Sequence, residues 1–138
     1  MKEISKGDVF ILPAKTVTQA MIDRYADAAE DRNPLHIDPE FAKTTRFGGT
    51  VAHGMLSAAF IQELMIRTFG RTWLESGAIE ISFMAPVRPG DVIVTEAKVT
   101  KAVPGEGPGD KRQVRMQVAC LNGKQEKVIK GTTEVLIS

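Results

Sequence analysis

The hydrophobic pattern of this chain changes from helical to strand-like about halfway along its 138 residues. From Ala52 to Phe69, apolar side chains occupy almost every side of the predicted helix, which is typical of a helix buried all round. After Gly77 the apolar positions alternate, with Ile79 and Ile81 next to polar residues, and a period of two predicts a strand. A buried helix and a half-buried sheet in one short chain predict an α+β protein.

Three more alternating runs, at 91–100, 111–121 and 125–137, predict further strands. Asn122-Gly123 lies between the last two runs and predicts a two-residue hairpin turn, so the sheet should be antiparallel with four or five strands. A curved antiparallel sheet wrapped around the long central helix would bury that helix completely, an arrangement known as the hotdog fold. Periodicity alone leaves other α+β layouts open, including a helix that lies across a flat sheet.

The N-terminal half predicts shorter helices. Thr16 and Gln19 fit a capping box, which predicts a helix at about 17–30 that ends before Pro34. Asp38-Pro39 then predicts an N-cap followed by proline in the first turn of a short helix.

Composition limits the kind of protein this can be. With 43% hydrophobic and 25% charged residues, the chain is typical of a globular protein, and its length predicts a single domain at 1–138. Lys and Arg number 18 against 17 Asp and Glu, so no basic field favours a nucleic acid or an anionic membrane. The first residues lack the apolar stretch of a secretory signal, and 50–69 is too polar to span a bilayer. We therefore expect a cytoplasmic protein.

Two other segments predict structure rather than chemistry. Cys120 is the only cysteine, and its place in an alternating run predicts a buried thiol that forms no intrachain disulfide and takes no part in catalysis. The stretch at 103–110 is rich in glycine and proline and predicts a loop between strands. It lacks the strand-to-helix setting of a phosphate-binding loop.

Ionisable side chains concentrate at 30–42, "EDRNPLHIDPEFA". Asp31 and His36 are five residues apart, so they could not share one face of a helix. Pro34 interrupts a helix and biases Asn33 toward extended backbone, which lets the chain double back and turn both side chains to one point. A carboxylate and an imidazole that flank one water form a general acid/base pair. The alternative is that Asp31 caps a turn and His36 is a hydrogen-bonded core histidine.

The longer string "EDRNPLHIDPEFAKTTRFGGTVAHGMLSAAF" resembles the (R)-specific enoyl-CoA hydratases of the MaoC-like family, which have the hotdog fold. Their signature is D-x-N-P-x-H-x-D followed by H-G-M at the start of the central helix. The matching residues here are Asp31, Asn33, Pro34, His36, Asp38, His53, Gly54 and Met55. The later segment "SFMAPVRPGD" fits more loosely. The string H-F-P-x-x-P-x-x-P-G of the hotdog dehydratases that act on acyl-carrier protein is absent.

The resemblance implies roles for the matched residues. Asp31 and His36 would hold the water that adds to C3 of a trans-2-enoyl thioester, and the Gly54 N–H would bind the thioester oxygen. An unpaired amide at a helix N-terminus suits that task because it stabilises the negative charge that develops on the oxygen. Asn33 would hold the loop beside the substrate, and His53 would serve either catalysis or packing at the helix start.

The central helix should also line the acyl site. We expect Ser57 to leave room for the substrate, and three residues further along to form an apolar channel, with core packing as the alternative for these three. They are Ala58, Ile61 and Met65. Three surface cations are candidates to meet the phosphates of CoA: Lys43, Arg46 and Arg88.

No metal and no cofactor is expected. Four side chains could be written as a ligand set, but no H-x-x-x-H or C-x-x-C pair is present to support one. These side chains are Asp31, His36, Asp38 and His53.

Three functional interpretations remain open. The first is a homodimeric (R)-specific enoyl-CoA hydratase, which would also run the reverse dehydration. The second is a MaoC-like dehydratase of a dedicated pathway that acts on a functionalised acyl-CoA or acyl-carrier-protein thioester. The third is a non-catalytic acyl-CoA-binding module or partner subunit, which would not need an acid/base pair.

Overall fold

A computed structural model describes residues 3–105, 107 and 109–138 of the chain. One sheet and one long helix account for most of it. In chain order the elements are β1 (Val9–Thr16), α1 (Gln19–Ala29), α2 (Pro34–Ile37), α3 (Pro39–Lys43), α4 (Gly54–Phe69), α5 (Arg71–Ser76), β2 (Ala78–Phe83), β3 (Val92–Val103), β4 (Arg112–Leu121) and β5 (Lys127–Ile137).

The five strands form a single antiparallel sheet in the order β1-β3-β4-β5-β2. Helix α4 packs against β1, β3 and β4 and supplies the middle of one hydrophobic cluster, in which Ile61 and Met65 are fully buried. The predicted α+β hotdog arrangement, a long helix held by an antiparallel sheet, is therefore confirmed. Among the described residues, no helix is both long and apolar enough to cross a bilayer.

The strands predicted after Gly77 are present as β2 to β5, whereas β1 was not predicted. Pro13 interrupts its pattern, because proline cannot donate a ladder hydrogen bond. The structure tolerates Pro13 because β1 is an edge strand and its register against β3 shifts between Leu12 and Lys15, where proline is permitted. Short helices α2 and α5 were also not predicted.

The predicted capping box at the start of α1 is wrong. Thr16 ends β1, and the N-cap is Thr18, whose hydroxyl accepts a hydrogen bond from the Met21 amide at 3.1 Å. Helix α1 consequently covers 19–29 rather than 17–30. The predicted cap at Asp38 is present, since its carboxylate accepts from the Glu40 and Phe41 amides at the start of α3.

The turn between β4 and β5 has five residues, not the two that Asn122-Gly123 predicted. The Asn122 side-chain oxygen accepts from the amides of Lys124 at 2.9 Å and Glu126 at 3.0 Å. These bonds add to the backbone turn bond from the Gln125 amide to the Asn122 carbonyl at 3.0 Å, and Gln125 adopts the left-handed conformation, with a φ of 63°. The hairpin itself is present.

The loop predicted at 103–110 connects β3 to β4, and its residues Glu106 and Pro108 lie outside the described residues. Cys120 is fully buried, as predicted, and its Sγ lies 3.4 Å from the Thr95 hydroxyl.

Candidate active site

Asp31 follows the last turn of α1. Glu30 ends that helix in the left-handed conformation, with a φ of 55°, which is uncommon for a residue other than glycine and is often found at functional sites. The Asp31 amide still donates to the Ala26 carbonyl at 3.0 Å. The backbone of Asp31 is thus fixed to the helix end while its carboxylate is exposed.

Helix α2 presents His36. Asn33 is its N-cap and accepts a hydrogen bond from the Leu35 amide at 3.0 Å, with Pro34 as the first helical residue. The Nδ1 atom of His36 lies 2.7 Å from the Val51 carbonyl oxygen. Because a carbonyl oxygen only accepts, this contact assigns a proton to Nδ1, so the lone pair of a neutral His36 ring is on Nε2, which has no hydrogen-bond partner among the described residues.

His53 lies behind this pair and is almost completely buried, with 3% of its surface exposed. Its Nε2 lies 2.9 Å from the backbone oxygen of Asp31, which assigns the proton to Nε2. The His53 ring stacks on that of His36, with centroids 3.8 Å apart and planes 27° apart, and the Tyr25 ring tilts against it at 4.8 Å. Its Nδ1 is buried and has no partner among the described residues.

The three side chains therefore converge. One oxygen of Asp31 and one ring nitrogen each of His36 and His53 all lie within 4.8 Å of one another. Asp31 is exposed to solvent and His36 is half-buried, whereas His53 is buried and forms the inner side of the cluster. The structure thus brings together the two side chains that the sequence placed on either side of Pro34.

The stacking of His36 on His53 is unfavourable for a metal ion that binds both rings. An ion bound to both imidazoles lies in the plane of each ring, about 2.0–2.1 Å from each nitrogen. Rings stacked 3.8 Å apart and 27° from parallel do not have planes that meet so close to their edges. Asp38, the fourth candidate ligand, caps α3 instead.

Gly54 begins α4 next to His53, which serves as N-cap without a side-chain hydrogen bond. No acceptor for the Gly54 amide occurs among the described residues, as expected in the first turn of a helix. A Cβ at this position would lie 2.7 Å from the Phe83 ring. Glycine therefore lets the Phe83 ring, at the end of β2, lie directly against the helix start, and a larger residue would displace that ring.

A cavity of about 480 Å³ opens at this helix start, a size typical of small-molecule sites. His53, Gly54, Ser57 and Arg46 contribute its polar groups, and a substrate pocket at Ser57 stays a prediction. Asp31 and His36 are not among the residues that line the cavity, but they adjoin it through His53, which lies on the wall and stacks on the His36 ring. Its apolar wall is formed by Val51, Ala52, Met55, Phe83, Met84, Ala85, Pro86, Val87, Val128 and Ile129, with Phe47 and Arg46 at one side.

Ala58, Ile61 and Met65 do not line this cavity. They pack in the hydrophobic core between α4 and the sheet, the alternative considered for them from sequence. An acyl channel along these side chains would require them to move, because the core around them is filled.

The three candidate cations have different environments. Arg46 borders the cavity and stacks over Phe47, with its guanidinium 4.8 Å from the ring centroid. Lys43 forms an exposed ion pair with Glu40 at 3.1 Å. Arg88 lies outside the cavity wall, next to the position that a Cβ of Gly49 would occupy.

The structure adds residues that the sequence did not point to. Gln19 donates from Nε2 to the His36 carbonyl at 2.8 Å and accepts from the Thr50 hydroxyl at 2.7 Å, so it ties α1 to α2 and to the segment before α4. Tyr25 on α1 packs its ring against that of His53, with the centroids 4.8 Å apart. No sequence signal separates such contacts from ordinary helix packing.

Known proteins of one family resemble this chain over most of its length. The MaoC like domain family matches residues 5–122. The (R)-specific enoyl-CoA hydratase of Rhodospirillum rubrum is 36% identical over an alignment of 141 positions, which covers 99% of this chain and 90% of that protein. The 3-hydroxybutyryl-CoA dehydratase of Methylorubrum extorquens is 31% identical over 127 residues, covering 89% of this chain and 74% of that protein.

Solved structures show the same fold. The (R)-hydratase from A. caviae superposes with a TM-score of 0.82 at 26% identity, covering 100% of both chains. An R-hydratase from Pseudomonas aeruginosa in the unliganded form has a TM-score of 0.81 at 28% identity and covers 98% of this chain and 83% of that one. Since the family match spans most of the sequence, the chain belongs to the MaoC-like domain family and is a hydro-lyase with the hotdog fold.

Proposed function

We propose that the protein catalyses the reversible (R)-specific hydration of trans-2-enoyl-CoA to (3R)-hydroxyacyl-CoA. The observation that supports this most is the convergence of the Asp31 carboxylate and the His36 imidazole next to the start of α4. Two curated relatives support the reaction class, since one is named an (R)-specific enoyl-CoA hydratase and the other a 3-hydroxybutyryl-CoA dehydratase.

In this proposal the pair binds and activates one water. The ionised Asp31 carboxylate and the Nε2 lone pair of His36 are both acceptors, so each can take one hydrogen bond from the same water. The water oxygen forms a bond to C3 of the enoyl group while one of its protons passes to the pair. The electrons of the C2=C3 bond move to an enolate, and C2 then takes a proton from the pair.

The Gly54 amide would stabilise that enolate. The first amides of α4 point out of the helix start, where the helix dipole adds positive potential. The thioester oxygen gains negative charge as the water adds, so a donor already in place favours the transition state over the substrate.

Dehydration is the second candidate, and the relative from Methylorubrum extorquens favours it. The same residues serve both directions, because a catalyst accelerates the forward and reverse reactions equally. Within this candidate, the substrate could be an acyl-carrier-protein thioester or an acyl-CoA with a functionalised acyl group. Arg46 at the cavity wall suits the phosphate oxygens of either carrier, CoA or the phosphopantetheine arm of acyl-carrier protein.

We further propose a homodimer in which β2 of two copies pair. Strand β2 lies at the end of the sheet, so its outer edge offers unpaired backbone groups. Phe83 and Met84 at its end are 54% and 50% exposed, although they are large and apolar. A cytoplasmic location stays a prediction.

The test is turnover of crotonyl-CoA by the purified protein, followed as the loss of the ultraviolet absorbance of the conjugated enoyl thioester. We expect wild type to form (3R)-hydroxybutyryl-CoA, identified by chiral analysis, and Asp31→Asn to lower kcat by at least about 10²-fold at unchanged stability, because the base is lost and the volume is kept.

If crotonyl-CoA is not converted, the same assay is repeated with longer and functionalised enoyl-CoA substrates. An Asp31→Asn variant with wild-type rates would contradict the mechanism. A wild type that binds these thioesters and converts none of them would leave the binding-module interpretation instead.

A further inference from the structure

Ser57 has a buried hydroxyl that the fold does not use. The residue is 2% exposed, and its Oγ has no hydrogen-bond partner among the described residues. Its backbone carbonyl, in contrast, has the Cys120 thiol as a donor at 3.8 Å. A buried hydroxyl without a partner destabilises a fold relative to alanine, so packing alone does not account for serine at this position.

Helix geometry places this hydroxyl close to the proposed binding site. Ser57 comes three residues after Gly54, so both lie on one face of α4. Side chains of a helix point back toward its N-terminus and cover the preceding turn, which for Ser57 is the turn that begins at Gly54. Both residues border the same cavity.

We propose that the Ser57 hydroxyl is a second hydrogen-bond donor to the thioester oxygen, in addition to the Gly54 amide. This inference rests on the proposed function, because it needs a thioester in the cavity. A carbonyl oxygen has two lone pairs and takes two donors, and the Phe83 ring facing Gly54 limits where the oxygen can lie. Both hydrogen bonds become stronger as the oxygen becomes an enolate, which makes Ser57 a catalytic residue.

The experiment compares Ser57→Ala with a matched control. Thr133 on β5 also has a buried hydroxyl without a partner among the described residues, is 1% exposed and does not border this cavity. Thr133→Val therefore removes the same kind of group at a distance from the site. We expect Ser57→Ala to lower kcat by about 10²-fold with a KM within a few-fold of wild type, at an unchanged or raised Tm. The control should keep kcat.

A second readout does not depend on turnover. Saturated [1-¹³C]butyryl-CoA cannot be hydrated, and the carbon-13 resonance of its carbonyl moves downfield when the oxygen accepts hydrogen bonds. We expect a downfield shift on binding to wild type and to Thr133→Val, and a smaller one on binding to Ser57→Ala.

The outcomes separate this inference from the proposed function. Wild-type kcat and an unchanged carbonyl shift in Ser57→Ala would overturn the role of Ser57, even if the protein is a hydratase. If wild type hydrates no enoyl thioester but the carbonyl shift still differs between wild type and Ser57→Ala, the proposed function fails and the contact with Ser57 stands. Failure of wild type to bind butyryl-CoA would overturn both.

Discussion

At the scale of single residues, burial separates the two histidines of this protein. Both are held by a backbone carbonyl, His36 by that of Val51 and His53 by that of Asp31. His36 is half-buried, and one of its ring nitrogens lies within 4.8 Å of an Asp31 carboxylate oxygen, so in the proposed mechanism it is the histidine that exchanges protons with the water. His53 is enclosed by the rings of His36 and Tyr25, and we propose that it acts by positioning Asp31 and His36.

The role of His53 can be divided between its ring and its donor. His53→Phe keeps an aromatic ring next to His36 but loses the bond to the Asp31 carbonyl, whereas His53→Gln keeps an amide donor and loses the ring. We expect both variants to lower kcat more than they change KM, by about 10²-fold for His53→Phe, because a small displacement of Asp31 misplaces the water. Steady-state kinetics of the two variants would measure both constants, kcat and KM. Wild-type kcat in His53→Phe would exclude a positioning role for the donor.

Cys120 should be unreactive in the folded protein. Burial raises the pKa of its thiol, and the hydrogen bond with Thr95 acts in the opposite direction with a smaller effect. The native thiol is therefore protonated at pH values where an unfolded thiol ionises, and the protein should lose stability as pH rises from the ordinary thiol pKa through the raised one. Labelling with iodoacetamide near pH 8 should be slow in native protein and fast after unfolding in denaturant. Equal rates in the two states would contradict this expectation.

At the scale of elements, the pairing of β2 with β5 depends on a glycine. Gly131 pairs with Ile81, and a Cβ on Gly131 would meet the backbone of Glu80 and Ile81, lying 2.7 Å from the Ile81 Cα. Backbone atoms cannot move aside as a flexible side chain does. Strand β2 carries Phe83 to the helix start, so this close pairing also shapes the cavity.

Gly131→Ala should lower the free energy of unfolding by about 1–3 kcal/mol through overpacking. Gly123 in the β4–β5 turn is the matched control, because a Cβ there meets nothing within 4 Å and its φ is not positive. Denaturant unfolding of Gly123→Ala should give a stability near that of wild type. Equal free energies of unfolding for the two variants would show that β2 can move away from β5 without destabilising the fold.

At the scale of the whole molecule, the two ends of the sheet are alike in exposing apolar side chains. Val9 and Ile11 on β1 are 54% and 60% exposed, comparable to Phe83 and Met84 next to the cavity. The ends differ in their surroundings, since only the β2 end adjoins the wall of the proposed substrate site. A second copy at β2 would therefore also shield the cavity.

Light scattering after size exclusion tests the dimer. We expect a mass twice that of the chain for wild type, and a shift toward monomer for Met84→Lys, because a charge would be buried at the interface. Ile11→Lys places the same charge on the opposite edge and should leave the mass unchanged. A monomeric wild type, or a dimer lost only in Ile11→Lys, would exclude pairing through β2.

The sequence by itself determined the elements whose periodicity is long, and the residues that local chemistry requires. The apolar pattern of α4 and the alternation of β2 to β5 are repeated over many residues, so they predicted the fold class. Pro34 excludes a continuous helix between Asp31 and His36, and the local pattern therefore indicated their convergence.

Only the tertiary structure decided what depends on contacts distant in sequence. Edge strand β1 forms because it pairs with β3, although Pro13 interrupts its alternating sequence pattern. Gln19 bonds to α2 and Thr50 across the site instead of capping α1. The tautomers of His36 and His53 follow from two backbone carbonyls distant in sequence, and the cavity wall joins the start of α4 to Phe83 at the end of β2. Such contacts join segments far apart in the chain, and local propensity contains no information about them.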